Sequence, residues 1–509
     1  MLLPYFSGCG RVLFAVVNAL VVAVGSYDAL RLLQAGSYRV RRGYRRIFRS
    51  RSFASGCVAT ALLLSLKVLA KGKAFVFCGA YFLMAASWLG ITLCRKRRTP
   101  LRFTPRIRRL IGTLFLLAAV EGYFFAGEVL FCLFPLLVLL AHGSNLPTET
   151  VIHAYYLQKA KRTLRRANVK IIAVVGSYGK TSVKTFLTEF LSLRYTVLKT
   201  KNSYNTPLGL AKTINEEYRG EEIFVAEFGA RQTGDIRKLM KLVSPDCVVL
   251  TGITSCHLST FGSLENVVRT KYESVTHLKK GGFAVFNGAD EICQTLFERT
   301  QKPKFCFGKD CRYTDATFSE QGAKFSLWFG QTRYDCTTPT LGRAHVNNVC
   351  LAAYTAFLWG VPAEKIAEAT AFLPQVPHRL ELTKSGGLFL LDDGYNSNPV
   401  GFRNAMEVLQ GFSGKKFVVT AGIVEQGRET EAVNVAAGRE LRVADYVALW
   451  GPNVPYLKRG LTETGFSEQN LFEVHSLTQG VEAFQGFFQS GDVVLFENDL
   501  PDDFLKEGL

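Results

Sequence analysis

The sequence predicts an α/β protein behind a helical, membrane-spanning first third. A phosphate-loop-type parallel sheet comes next, and a smaller Rossmann-like α/β unit ends the chain. Three observations carry this reading. Basic loops and long apolar runs alternate up to about residue 145; after Val169, short β-branched runs alternate with helical patterns; and the run Ile171 to Val175 opens into Gly176-Ser177-Tyr178-Gly179-Lys180-Thr181, a glycine turn with a lysine at its end.

Charge separates the first third from the rest. Met1 to Lys170 holds 26 Lys and Arg against 4 Asp and Glu, leaving 35 and 38 of the chain's 61 and 42 for the remainder. A basic excess interleaved with apolar runs is a membrane pattern, and it argues against a nucleic-acid partner. The runs are Val12 to Tyr27, Phe53 to Leu69, Phe75 to Cys94, and Leu110 to Ala141, the last long enough for two crossings of roughly 20 residues each. Loops Arg39 to Arg51 and Arg95 to Arg109 are strongly basic. With both loops inside, five spans over 1-145 return the chain to the cytoplasm, so the expected placement is a multi-pass inner-membrane protein whose later domains face the cytoplasm. Glu121 and Glu128 then sit near membrane interfaces. Residues 146-168 predict a basic amphipathic linker helix, lying on the anionic leaflet or capping the next domain. Twelve Cys without a CxxC pair read as reduced thiols and not as a zinc site.

From 169 to 374 the alternation of strand and helix predicts a parallel sheet with helices on both faces, whose ligands gather beyond the carboxyl ends of the strands. The glycine turn lies at such an end. Two glycines let successive N–H groups and the positive end of the following helix face one point, Lys180 adds a cation, and Thr181 offers a hydroxyl to a phosphate-bound Mg²⁺. The spacing is shorter than GxxxxGK[ST], since the position of that motif's first glycine is Val174. Glu227 of VAEFGA and Thr251 of VVLTGITSCH close two further strands, and Lys304 to Thr340 predicts a small antiparallel addition. Gln375 to Pro377 reads as a hinge before 375-509, a second α/β unit without a phosphate loop.

The ordered motifs resemble the Mur ligase family, most nearly its D-alanyl-D-alanine-adding branch, over Val169 to the C-terminus. They are GSYGKTS, NSYNTPLG, VAEFGARQTGDI, TGITSCHLSTFGSLENVVRTKYE, LGRAHVNNVCLAA, HRLE and DDGYNSNP. The resemblance implies an ATP-dependent ligase that phosphorylates a carboxylate and lets an amine capture the acyl phosphate. It implies Lys180, Glu227, His257 and Lys271 as catalytic residues. Gly176, Ser177, Gly179, Lys180, Thr181, Ser182, Asn205 and Thr206 would hold the phosphates, Asn348 the adenine, and Arg379 and Asp393 the γ-phosphate and ribose. Two Mg²⁺ would lie on Thr181 and Glu227 and on His257 and a carbamylated Lys271, with Tyr395, Asn396 and Asn398 nearby. The substrates implied are a cell-wall precursor, soluble or lipid-linked, and an amino acid or dipeptide. A membrane-bound polyglutamate-type ligase and a non-ligating ATPase are the alternatives. The sequence departs from the family at Ala344 and His345, where His and Asn are usual, and at Phe496-Glu497-Asn498-Asp499, where a KGSR-like string is usual.

Overall fold

The computed structural model describes residues 8–36, 38, 83, 86, 87, 89, 90, 94, 100–125, 130–395 and 397–497. The chain divides into two compact units, one of Met1–Ala154 with Pro501–Leu509, the other of Tyr155–Leu500.

In the first unit, helix Gly8–Gly25 packs on helix Pro105–Phe125. Ala19, Val22, Leu114, Ala118 and Val138 are buried together there. The buried Asn18 amide donates to Ala118 O (2.9 Å) and Glu121 Oε2 (3.1 Å), so Glu121 is a partner within this packing. Glu128 and nearly all of the second and third expected spans lie outside the described residues.

The multi-pass inner-membrane expectation does not hold: among the described residues, only Gly8–Gly25 is a helix long and apolar enough to cross a membrane. Every 18-residue stretch of Pro105–Phe125 includes Arg108, Arg109 and Glu121, charges that are costly inside a bilayer. Residues 146-166 are helical. They continue Leu130–Arg166, a single helix of 37 residues with Arg165 and Arg166 in its last turn, where cations suit the negative helix end.

The second unit holds two sheets. The first contains β1 (Lys170–Val175), β2 (Val197–Lys199), β3 (Ile223–Phe228), β4 (Cys247–Leu250), β5 (Phe283–Asn287), β6 (Lys304–Phe307), β7 (Cys311–Ser319), β8 (Gly322–Phe329) and β9 (Thr332–Thr338), in the order β2-β3-β1-β4-β5-β6-β7-β8-β9. Strands β1 to β6 pair in parallel, and β7 to β9 continue the same sheet as an antiparallel meander. The expected addition is thus an extension of the main sheet. Strand β1 is central, with Val174 beside Glu227 and Val175 beside Leu250. Its residues 171–175 are buried, as a strand covered on both faces requires. Helix Lys180–Leu191 follows, and Val183, Phe186, Leu187, Phe190 and Leu191 pack into the core against helix Arg343–Leu358.

The second sheet contains β10 (Glu381–Ser385), β11 (Leu388–Asp393), β12 (Lys416–Thr420), β13 (Tyr446–Leu449), β14 (Leu471–Glu473) and β15 (Val493–Glu497), in the order β10-β11-β15-β12-β13-β14. All its pairs are parallel except β10 with β11.

Candidate functional site

The site is built where β1, β3 and β4 end. The phosphate loop leaves β1 and is tied to the segment after β4: Ser177 N donates to Gly252 O (2.7 Å), Ser177 Oγ to Thr254 O (3.0 Å), and Thr254 N to Ser177 Oγ (3.1 Å). Thr251 Oγ1 donates to Tyr178 O. Tyr178 OH reaches Asp290 Oδ2 (2.8 Å), which also accepts from Ile253 N (3.1 Å). Glycine is required at two loop positions. A Cβ on Gly176 would fall 2.0 Å from Thr251 Oγ1, and Gly179 has φ +75°, with a Cβ position 2.6 Å from Asn348 Oδ1. Gly179 caps helix Lys180–Leu191, so the first helical N–H groups open onto the loop.

Glu227 is the electrostatic centre. Its Oε2 accepts from Thr181 Oγ1 (3.1 Å) and pairs with Lys184 Nζ (3.0 Å); its Oε1 accepts from Asn205 Nδ2 (3.2 Å). The Glu227 and Lys184 side chains are only 2% and 3% exposed. Burial pushes the Glu227 carboxyl up, but Lys184, Lys180 and the hydrogen bonds outweigh it and hold it below the ordinary carboxylate value. Burial, then the charge of Lys271, brings Lys180 down to about 8; Glu227 opposes this and Arg379 adds to it. Lys271 is buried, donates to Gly176 O (2.9 Å), and is also pushed down by burial.

Of the residues predicted from sequence, Gly176, Ser177, Gly179, Lys180, Thr181, Asn205, Glu227, Lys271 and Asn348 meet around this loop, with the buried Ser182 in the first turn of its helix. Asn348 packs on Gly179 of the loop. Thr206 instead caps helix Pro207–Glu217, accepting from Gly209 N (3.2 Å). His257 Nδ1 meets Glu425 Oε2 of the segment after β12, while Cys256 beside it lies within electrostatic range of Lys271. From the second sheet, the Arg379 guanidinium stacks on Tyr395 at 4.4 Å and acts electrostatically on Lys180. Burial pushes Asp393 up to about 6 against the pull of Arg379, and Glu497, its neighbour across β11 and β15, is raised by burial and then by Asp393. Ser397 Oγ donates to Glu497. Asn398 caps helix Pro399–Gln410, and Asn396 lies outside the described residues.

Sequence reasoning missed Lys184, Asp290, Glu425 and Glu497. Lys184 had a signal: it stands one turn after Lys180, on the face of the helix that carries Lys180 and Leu187. Glu425 lies beyond a parallel strand, where ligands gather. Backbone strain marks the same region. Asn202, His257, His378, Leu380 and Glu425 all take left-handed φ, between +45° and +63°, and such conformations cluster at functional sites. Arg379 stands between two of them.

Chemically, the loop N–H groups and Lys180 can take an anion. Thr181 and Glu227 give adjacent oxygen donors of the kind Mg²⁺ prefers, so these residues fit a nucleotide and its metal.

Residues 174–356 match the model of the Mur ligase middle domain, and 378–497 match that of the Mur ligase, glutamate ligase domain. The chain is 28% identical over 348 residues to the UDP-N-acetylmuramoyl-tripeptide--D-alanyl-D-alanine ligase of Bacillus subtilis (strain 168), covering 67% of this chain and 75% of that protein. Among solved structures it resembles MurF from Acinetobacter baumannii, with TM-score 0.63 and 25% identity over 68% of this chain and 77% of that one. It also resembles the MurF ligase from Thermotoga maritima in complex with ADP, with TM-score 0.61 and 25% identity over 69% and 82%.

Proposed function

The chain belongs to the Mur ligase family, and from that premise we propose that it is an ATP-dependent ligase joining D-alanyl-D-alanine to a UDP-linked muramoyl-tripeptide of the cell-wall precursor class. One observation carries the site assignment: two lysines, the half-buried Lys180 and the buried Lys271, converge on the phosphate loop beside the carboxylate of Glu227 and the hydroxyl of Thr181. On this reading 169-374 is the ATP-binding domain and 375-509 the domain that completes it.

The chemistry brings two anions together, the acceptor carboxylate and the γ-phosphate, and cations must offset their repulsion. The loop N–H groups and Lys180 bind the β- and γ-phosphates. Thr181 and Glu227 would hold Mg²⁺, which when bound supplies charge neutralisation at those phosphates. Glu227 stays ionised for that task because Lys184 and Asn205 hold it so. Arg379, electrostatically coupled to Lys180, adds positive charge from the second sheet. A carboxylate oxygen attacks Pγ as the bond from Pγ to the bridging oxygen breaks, giving an acyl phosphate and ADP. The amine nitrogen then attacks the acyl carbon, phosphate leaves, and the nitrogen gives up a proton.

Lys271 suits carbamylation. Burial favours its neutral amine, the form that attacks CO₂, and the resulting carbamate would turn its repulsion of Lys180 into attraction. With His257 it would then offer an oxygen and a nitrogen to a second Mg²⁺.

The test is incubation of the purified full chain with ATP, Mg²⁺, UDP-N-acetylmuramoyl-tripeptide and D-alanyl-D-alanine. Amide product should appear by mass spectrometry, with ADP release requiring both acceptor and amine. ADP release indifferent to the amine would instead mark a non-ligating ATPase.

A further inference from the structure

We propose that Glu425 is a positioning residue for His257: the second sheet supplies it, and it fixes the imidazole so that Nε2 is the nitrogen presented to a divalent cation. This rests on the reading above that His257 is a metal ligand.

Three contacts join the two segments. Glu425 Oε2 meets His257 Nδ1, and the side chains are 15% and 18% exposed. Ser259 N donates to Glu425 O at 3.1 Å. Gly427, at φ +60°, lies so close that a Cβ there would stand 3.3 Å from Ser259 N. Both partners hold left-handed backbone, His257 at +51° and Glu425 at +63°. Histidine visits that region more readily than most residues, but glutamate does not, so at Glu425 the surroundings must determine it.

A carboxylate on one ring nitrogen makes that nitrogen the proton donor. The lone pair of the other is then aimed and made more basic, which is how metal-binding histidines are commonly held. Here the carboxylate and the histidine come from different sheets. His257 follows β4 and Glu425 follows β12. The cation's ligand is therefore oriented only while the two segments are engaged, and by linkage a bound cation favours that engagement.

The experiment titrates Mn²⁺ into the full chain with a saturating non-hydrolysable ATP analogue, following bound Mn²⁺ by electron paramagnetic resonance. Two classes of bound ion are expected. H257A weakens the second most, to a still measurable affinity, E425A weakens it about 10- to 100-fold, and E425Q, which keeps an acceptor for Nδ1–H without the charge, weakens it less. The double variant H257A/E425A binds no more weakly than H257A, and unchanged far-ultraviolet circular dichroism establishes that each variant is folded. Wild-type affinity for the second ion in E425A, or a further loss in the double variant, overturns the positioning role and leaves the metal reading standing. Wild-type binding in H257A overturns both.

Discussion

Gly179 shows how closely the phosphate loop is fitted. At φ +75°, with Asn348 Oδ1 where a Cβ would go, Gly179→Ala is expected to weaken nucleotide binding at least about tenfold by straining the loop. A fluorescent-nucleotide titration checks this, and an unchanged affinity contradicts it. At Lys271 the expectation concerns the oxygen atoms a carbamate would carry. Lys271→Ala should abolish ligation, and short-chain carboxylic acids should restore part of it; retained activity without them would remove Lys271 from the site. His345, which the sequence marked only as a departure from the family, is buried and donates from Nδ1 to Leu341 O at 2.9 Å. Burial pushes its pKa down to about 4. Between pH 6.5 and 4 the unfolded chain therefore takes up a proton at this site that the folded chain refuses, so the stability contributed is present above pH 6.5 and lost toward pH 4. That loss is about 3 kcal/mol at most. Asp393, raised to about 6, works in the opposite direction over part of this range, so the comparison must be between variants. His345→Asn should flatten the acid-side fall of the urea midpoint; an identical slope would show that His345 does not set it.

Between elements, the pair of Lys184 on helix Lys180–Leu191 with Glu227 on β3 is the most consequential contact. Lys184→Met would leave a buried carboxylate without its cation, at a cost of about 3–5 kcal/mol, read as a lowered urea midpoint. A shift near zero would mean that Glu227 is held by other groups. The elements themselves were largely legible. Ile171 to Val175 read as a buried strand because its apolar run is short and β-branched, and the following helix because its apolar residues repeat at 3.6. The partner of Glu227 was only half legible: helical spacing sets Lys184 on the face of Lys180, but sequence order does not say which lysine a strand-end carboxylate meets after folding. Residues 146-166 are helical, but their charge pattern, amphipathic in isolation, did not reveal that the helix begins at Leu130.

Across the whole molecule, motif order carried the family, whereas hydropathy alone did not place the described helices of the first third in a membrane. Apolar runs mark burial without saying what they are buried against. Ala19, Leu114 and Ala118 are buried against other parts of the first unit, and one described helix alone meets the length and hydropathy of a span. On the proposed reading the site draws on both sheets of the second unit, with the phosphate loop, Glu227 and Lys271 from the first and Arg379, which acts electrostatically on Lys180, and Asp393 from the second. Carboxylate activation by ATP is the reaction such an arrangement serves, and an oxygen label tests it directly. If the acceptor carboxylate carries ¹⁸O, passage through an acyl phosphate leaves one labelled oxygen in the inorganic phosphate for each amide formed. Unlabelled phosphate, formed while amide accumulates, would contradict the account.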